Sequence, residues 1–99
     1  MKTLKVCFEG TGEVKGFIFE QMHSSKMAYL YKVRSYDGQV HFEVFKRKNT
    51  PICIDFEKRI YSDTEFKEIY PKSKDFGVWA WTYISPQDAY VKLNKLLEI

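Results

Sequence analysis

Residues 30–45 read Leu-Tyr-Lys-Val-Arg-Ser-Tyr-Asp-Gly-Gln-Val-His-Phe-Glu-Val-Phe, two runs of alternating apolar and polar side chains separated by Asp37-Gly38. Alternation with a period of two marks a half-buried strand, because successive side chains of an extended backbone point to opposite faces. Asp-Gly between two such runs is the signature of a two-residue type I′ turn, in which both central residues need positive φ. The stretch therefore predicts an antiparallel hairpin, and with it an antiparallel sheet as the organising element of the fold. A two-residue turn makes facing residue numbers sum to 75. Arg34 then faces His41, Lys32 faces Glu43 and Leu30 faces Phe45 on one side of the hairpin. Val33 faces Phe42 and Tyr31 faces Val44 on the other, which reads as the core side. The Lys32 and Glu43 pair would support the polar side by about 0.2–1 kcal/mol.

Further strands flank this hairpin. Residues 3–9 alternate Leu4, Val6 and Phe8 against Lys5 and Cys7, and Gly10-Thr11-Gly12 supplies a reversal. The return strand is expected over residues 13–22, where Phe17, Ile18 and Phe19 in succession imply cover on both faces or a bulge near Gly16. Residues 23–26 are polar and read as the next turn. Beyond the hairpin, residues 46–51 are a loop by composition, and Ile52, Ile54 and Phe56 alternate with Cys53, Asp55 and Glu57 as a strand running to about Tyr61. Residues 62–70 fit a short helix capped by Ser62 or a strand, with strand or irregular structure preferred. Residues 71–77 are a loop bounded by Pro71 and Gly77.

Both tryptophans lie in residues 78–84, Val-Trp-Ala-Trp-Thr-Tyr-Ile. Regular alternation puts Trp79, Trp81 and Tyr83 on one side of a strand and Val78, Ala80, Thr82 and Ile84 on the other. The aromatic side is either the largest apolar contribution to the core or a platform for a partner. A helix begins directly afterwards: Ser85 is a good N-cap, Pro86 fits the first helical position and Asp88 completes a capping-box pattern. Its stripe of Ala89, Leu93, Leu96 and Leu97, with Tyr90 beside it, needs a sheet face to lie on. The expected fold is a single α+β domain over residues 1–99, an antiparallel sheet of about five or six strands built from hairpins with one C-terminal helix packed on one face.

Composition bounds the rest. A chain of 99 residues that is 44% hydrophobic and 17% aromatic, without low-complexity runs or repeats, has the means to fold unaided. Its net charge of +3 permits contact with phosphates without demanding it. No stretch has the length and apolarity of a membrane span, and Lys2 and Lys5 interrupt the start where a secretory signal would need an apolar run. Cys7 and Cys53 are too few for a disulfide scaffold, so both are expected as small buried hydrophobes in a reducing cytoplasm.

Catalytic chemistry finds little to build on. Nucleophilic catalysis would have to use His23 or His41, and no nucleophile signature surrounds either. Cys7, His23, His41 and Cys53 lack the close-spaced pair of a zinc site, and Gly10-Thr11-Gly12 lacks the Lys-Ser/Thr ending of a phosphate loop. No catalytic residue, cofactor or metal ion is expected. The leading expectation is a non-enzymatic binding or accessory module for a protein partner or for self-association, using Trp79, Trp81, Tyr83 and Phe45 as an apolar patch. The alternative is nucleic-acid binding, with Lys46, Arg47, Lys48, Lys72 and Lys74 on phosphates and the exposed aromatics on bases.

Overall fold

The computed structural model describes residues 2–97. In chain order the strands are β1 (Cys7–Glu9), β2 (Ile18–Ser24), β3 (Ala28–Arg34), β4 (Val40–Lys46), β5 (Asn49–Asp55), β6 (Ile60–Glu68) and β7 (Ala80–Tyr83). One helix, α1 (Pro86–Leu97), follows. The strands form a five-stranded antiparallel sheet of order β1-β2-β3-β4-β7 and a separate two-stranded ribbon, β5-β6. The α+β architecture with a C-terminal helix on one sheet face is the one the sequence predicts.

The central hairpin forms, but one residue away from the expected register. Tyr29 faces Phe45, Leu30 faces Val44, Tyr31 faces Glu43, Lys32 faces Phe42 and Val33 faces His41. The cause lies in the turn. Ser35 N–H donates to the Gln39 carbonyl at 2.8 Å and Gly38 N–H to the Ser35 carbonyl at 3.0 Å, so three residues rather than two make the loop. Gly38 has φ of 89°, the left-handed conformation that closes a three-residue hairpin loop. Ser35 Oγ locks the arrangement by donating to the Asp37 carboxylate and accepting from Gln39 N–H at 3.1 Å. A shift of one residue carries every side chain of β4 to the opposite face. Phe45 therefore joins Tyr29, Tyr31 and Val33, while Phe42 and Val44 join Leu30. The expected Lys32–Glu43 pair does not form.

Two cores result, one on each face of the sheet. On one face Phe19, Tyr29, Tyr31, Val33, Phe45 and Trp79 pack with Ala80, covered by Leu4, Phe8, Phe17, Ile69, Tyr70 and Phe76. On the other, Ala28, Leu30, Phe42 and Val44 receive Ala89 and Leu93 of α1, with Tyr83, Leu96 and Leu97 at the margin. The consecutive buried run Ala28, Tyr29, Leu30 and Tyr31 in β3 is the direct consequence of cover on both sides. Leu30 and Phe45, which the expected register leaves as a pair on a polar face, are both fully buried in different cores.

Several boundaries differ from expectation. β1 is only three residues, β2 starts at Ile18, and the β2 irregularity falls between Gln21 and His23 rather than near Gly16. Residues 49–51 are strand, not loop. The strand expected over residues 52–61 is broken by a turn at residues 56–59. There Asp55 Oδ1 accepts from Lys58 N–H at 3.2 Å, Arg59 N–H donates to the Phe56 carbonyl at 3.3 Å, and Arg59 takes φ of 53°. Asp side chains favour such turns because they bond the backbone a few residues on. Residues 60–68 are strand, the preferred reading. Cys7 is exposed and Cys53 half-buried, both as free thiols, so neither is the buried hydrophobe expected.

Candidate interaction surfaces

The aromatic stripe is not a platform. Gly77, with φ of 91°, donates its N–H to the Ala80 carbonyl at 2.7 Å, and Trp79 N–H bonds the Asp75 carbonyl at 3.1 Å. This turn interrupts the alternation just before β7 begins, so Trp79 enters one core while Trp81 lies half-buried on the opposite, helix side. Trp79 is 6% exposed and meets Phe45 edge-on at 6.2 Å between centroids. Trp81 faces Val44 and Tyr83 faces Phe42 on the helix side, where Lys92 Nζ sits 3.9 Å over the Trp81 ring. Phe45 is wholly buried. Of the four aromatics predicted as a contact patch, Trp79 and Phe45 are therefore interior and Trp81 and Tyr83 are half-covered by α1.

The basic candidates separate by partner. Lys46, Lys48, Lys72 and Lys74 are exposed, and of their side chains Lys48 and Lys74 act on the Trp79 and Asp75 corner. Lys46 N–H donates to the Trp79 carbonyl at 3.0 Å, Lys48 Nζ lies 5.1 Å over its ring, and Lys72 N–H donates to Asp75 Oδ2 at 2.9 Å. Asp75 is held below the ordinary carboxylate range, first by the Lys72 N–H and then by Trp79, Lys74 and Lys48. Arg47 is different: its Nε donates to Glu68 Oε2 at 2.5 Å and its Nη1 to the Ser25 carbonyl at 2.8 Å. Its guanidinium also lies 4.7 Å over the Tyr29 ring. Arg47 is structural.

Glu68 is the other half of that arrangement. It is 8% exposed, and its Oε1 accepts from Tyr29 Oη at 2.5 Å and from Leu4 N–H at 3.3 Å. Burial alone would raise the Glu68 pKa, but the bonds from Arg47, Tyr29 and Leu4 outweigh it and hold the group below its ordinary value. Burial and then Glu68 push Tyr29 up to about 12. The network ties the end of β6 to β3, to the residue after β4 and to the N-terminal segment. A second, part-buried chain links His41 Nε2 to Glu43 Oε2 at 2.8 Å and Tyr70 Oη to Glu43 Oε1 at 2.7 Å. Burial, and then Glu43, push the Tyr70 hydroxyl upward. Among the described residues every buried side-chain polar atom has a partner, as burial in apolar surroundings requires.

The surface that sequence reasoning missed is the β5–β6 ribbon. β5 and β6 make their extensive contacts with each other, and among the described residues backbone bonds attach the ribbon at its root, among them Lys2 N–H to the Phe66 carbonyl at 3.1 Å, Glu68 N–H to the Lys2 carbonyl at 2.8 Å and Ile69 N–H to the Lys48 carbonyl at 3.0 Å. The ribbon is an arm. Its outer half carries Phe56 at 87% exposure, Ile54 at 67%, Tyr61 at 55% and Ile60 at 46%. Such a concentration of large apolar side chains differs from the single exposed residues found on any surface, such as Tyr36 and Ile84 here. The radius of gyration, 14.5 Å, exceeds the value of about 13 Å for a compact chain of this length, consistent with a projecting element. The signal was present in the apolar alternation of Ile52, Ile54 and Phe56, but no pattern in the sequence says that this strand joins no larger sheet.

No family model, curated protein or solved structure matches this chain. The surface itself has to carry the functional argument. Among the described residues no helix is long and apolar enough to cross a membrane, and no three His, Cys, Asp or Glu side chains converge as metal ligands would.

Proposed function

We propose that the chain is a non-enzymatic, cytoplasmic protein-interaction module that docks through the outer half of its β5–β6 arm. The observation that supports this is Phe56, 87% exposed at the end of a ribbon that also leaves Ile54, Ile60 and Tyr61 uncovered. A two-stranded ribbon is marginal alone in water, and exposed apolar patches of this kind are characteristic of interfaces. The apolar contact therefore moves from Trp79, Trp81, Tyr83 and Phe45 to the arm. A photo-reactive residue placed at position 56 of the full chain should cross-link to protein in cells far more than one placed at position 84, where Ile84 is as exposed but lies outside the arm. Equal yields at the two positions would remove the arm as an interface.

A second reading is supported by four exposed lysines, of which Lys48 and Lys74 stand at the Trp79 and Asp75 corner. Lys46, Lys48, Lys72 and Lys74 present a basic end to which a nucleic-acid backbone would bind electrostatically, without the base stacking expected from exposed aromatics. Replacing Lys46 and Lys48 by Ala should then weaken oligonucleotide binding and flatten its salt dependence, because each phosphate contact releases counterions. An unchanged salt slope excludes this reading.

A further inference from the structure

We infer that the cleft at the root of the arm is a binding site for a phosphate monoester, held by the Arg47 guanidinium with Lys26 and Asn49 beside it. The site is separate from the outer half of the arm and stands whether or not that half is a protein interface.

The cleft has a volume of about 340 Å³ and is lined by Lys26, Arg47, Asn49 and Glu68, a size at which small-molecule sites begin. Its walls are fixed by local bonds. Ser25 Oγ accepts from Met27 N–H at 3.2 Å and from Ala28 N–H at 3.1 Å, which orders the turn that carries Lys26. Arg47 N–H donates to the Met27 carbonyl at 3.0 Å, and Asn49 faces Glu68 across the ribbon. The guanidinium is held three ways, by Glu68 Oε2, by the Ser25 carbonyl and by the Tyr29 ring under it. Of the five N–H donors a guanidinium carries, those bonds use two, and the others have no protein acceptor among the described residues. An arginine whose torsions are already set loses little further freedom on binding, and its planar fork matches the oxygens of a phosphate.

Glu68 lines the same cleft but opposes an anion weakly. Its side chain is 4% exposed, Oε1 is taken by Tyr29 and Leu4 N–H, and Oε2 by Arg47. The surrounding charge is positive. Backbone bonds bring together residues 24–28, 46–50 and 66–79, which carry six lysines and Arg47 against Glu68 and Asp75, a net charge of +5 in a chain whose total is +3. A carboxylate ligand would leave most of that charge unbalanced, whereas a phosphate monoester brings about −1.5 to −2 and three acceptor oxygens. Lys26 and Asn49, both exposed, add an ammonium and an amide NH₂ as donors to those oxygens. A small phosphorylated molecule and the phosphorylated end of a nucleic-acid strand share this chemistry.

Titration of the full chain with inorganic phosphate, followed by NMR at the Arg47 Nε–H and the Asn49 side-chain amide, tests the site. The expected result is a saturable shift of both signals that chloride at the same ionic strength does not produce. Lys26→Ala should weaken phosphate binding about tenfold, as for one charge-assisted hydrogen bond, and keep the wild-type thermal midpoint because Lys26 is exposed. Shifts no larger than those with chloride, or an affinity unchanged in both Lys26→Ala and Asn49→Ala, overturn the site. Competition then assigns the source. Displacement of phosphate by a 5′-phosphorylated oligonucleotide but not by its 5′-hydroxyl counterpart supports a strand end as the ligand, and displacement by neither supports a small phosphorylated molecule. Equal displacement by the two overturns the choice of a monoester, since backbone diesters would then suffice.

Discussion

Replacing Glu68 should cost this small domain a large part of its stability, and the amount follows from three contacts. Its carboxylate accepts from Tyr29 and Arg47, each at 2.5 Å, and from Leu4 N–H at 3.3 Å, while only 8% of the residue reaches solvent. Removing one member of a buried ion pair typically costs about 3–5 kcal/mol, because the other charge is stranded. The Arg47 side chain is 25% exposed and regains some hydration, so Glu68→Ala should cost about 3 kcal/mol. In a domain of this length that lowers the thermal midpoint by on the order of 15 °C. Glu68→Gln keeps an acceptor for Tyr29 and Leu4 and removes mainly the charge, so it should fall between wild type and Ala. Urea denaturation of the three proteins at neutral pH measures both differences. The Glu68 pKa is depressed in the folded state, so its contribution is present above the ordinary glutamate value of 4.5 and is lost as pH falls through the folded value. The gap between wild type and Glu68→Gln should therefore close on acidification below that value. A loss under about 1 kcal/mol for Glu68→Ala, the size of an ordinary exposed pair, would refute the reasoning.

Other consequences can be measured separately. Tyr29 is pushed up to about 12, and a raised tyrosine stabilises the fold below its ordinary value of 10.0 and ceases to do so as pH rises through the folded value. Tyrosinate absorbance should thus show Tyr29 and Tyr70 ionising above 10.0 and together with unfolding; their ionisation near 10.0 in a still folded chain would contradict this. Trp79→Ala should cost about 3–5 kcal/mol in chemical denaturation, and its loss should remove the blue-shifted, iodide-resistant part of the tryptophan emission. A cost below about 1 kcal/mol would mean that Trp79 is not core. Gly38→Ala should destabilise the hairpin by about 1 kcal/mol, since alanine in the left-handed region is strained; an unchanged midpoint would mean that residue 38 is not held in that conformation.

How far the fold was legible depends on whether its information is local. The helix was readable because Ser85, Pro86 and the stripe Ala89, Leu93, Leu96 and Leu97 lie within one segment, and capping and periodicity act over four residues. The hairpin was readable as a hairpin, but its register turned on Ser35, whose hydroxyl binds both Asp37 and Gln39 and selects the longer loop. Nothing in the Asp-Gly signature reports that side chain. The aromatic run at residues 78–84 failed differently: Gly77 turns the backbone and ends the alternation between Trp79 and Trp81, so a rule valid inside a strand was applied across its boundary. Glu68 has no local signal, because its partners Tyr29, Arg47 and Leu4 lie 39, 21 and 64 residues away. The arm was invisible for the same reason. Ile54 and Phe56 are apolar at strand spacing whether or not a sheet covers them, and only the three-dimensional arrangement shows that the rest of the fold does not. Local pattern specifies which side of a strand is apolar, whereas the long-range packing decides what, if anything, lies against it. In this chain that decision puts Trp79 and Phe45 of the predicted contact patch into the core and leaves Ile54 and Phe56 of the predicted strand uncovered.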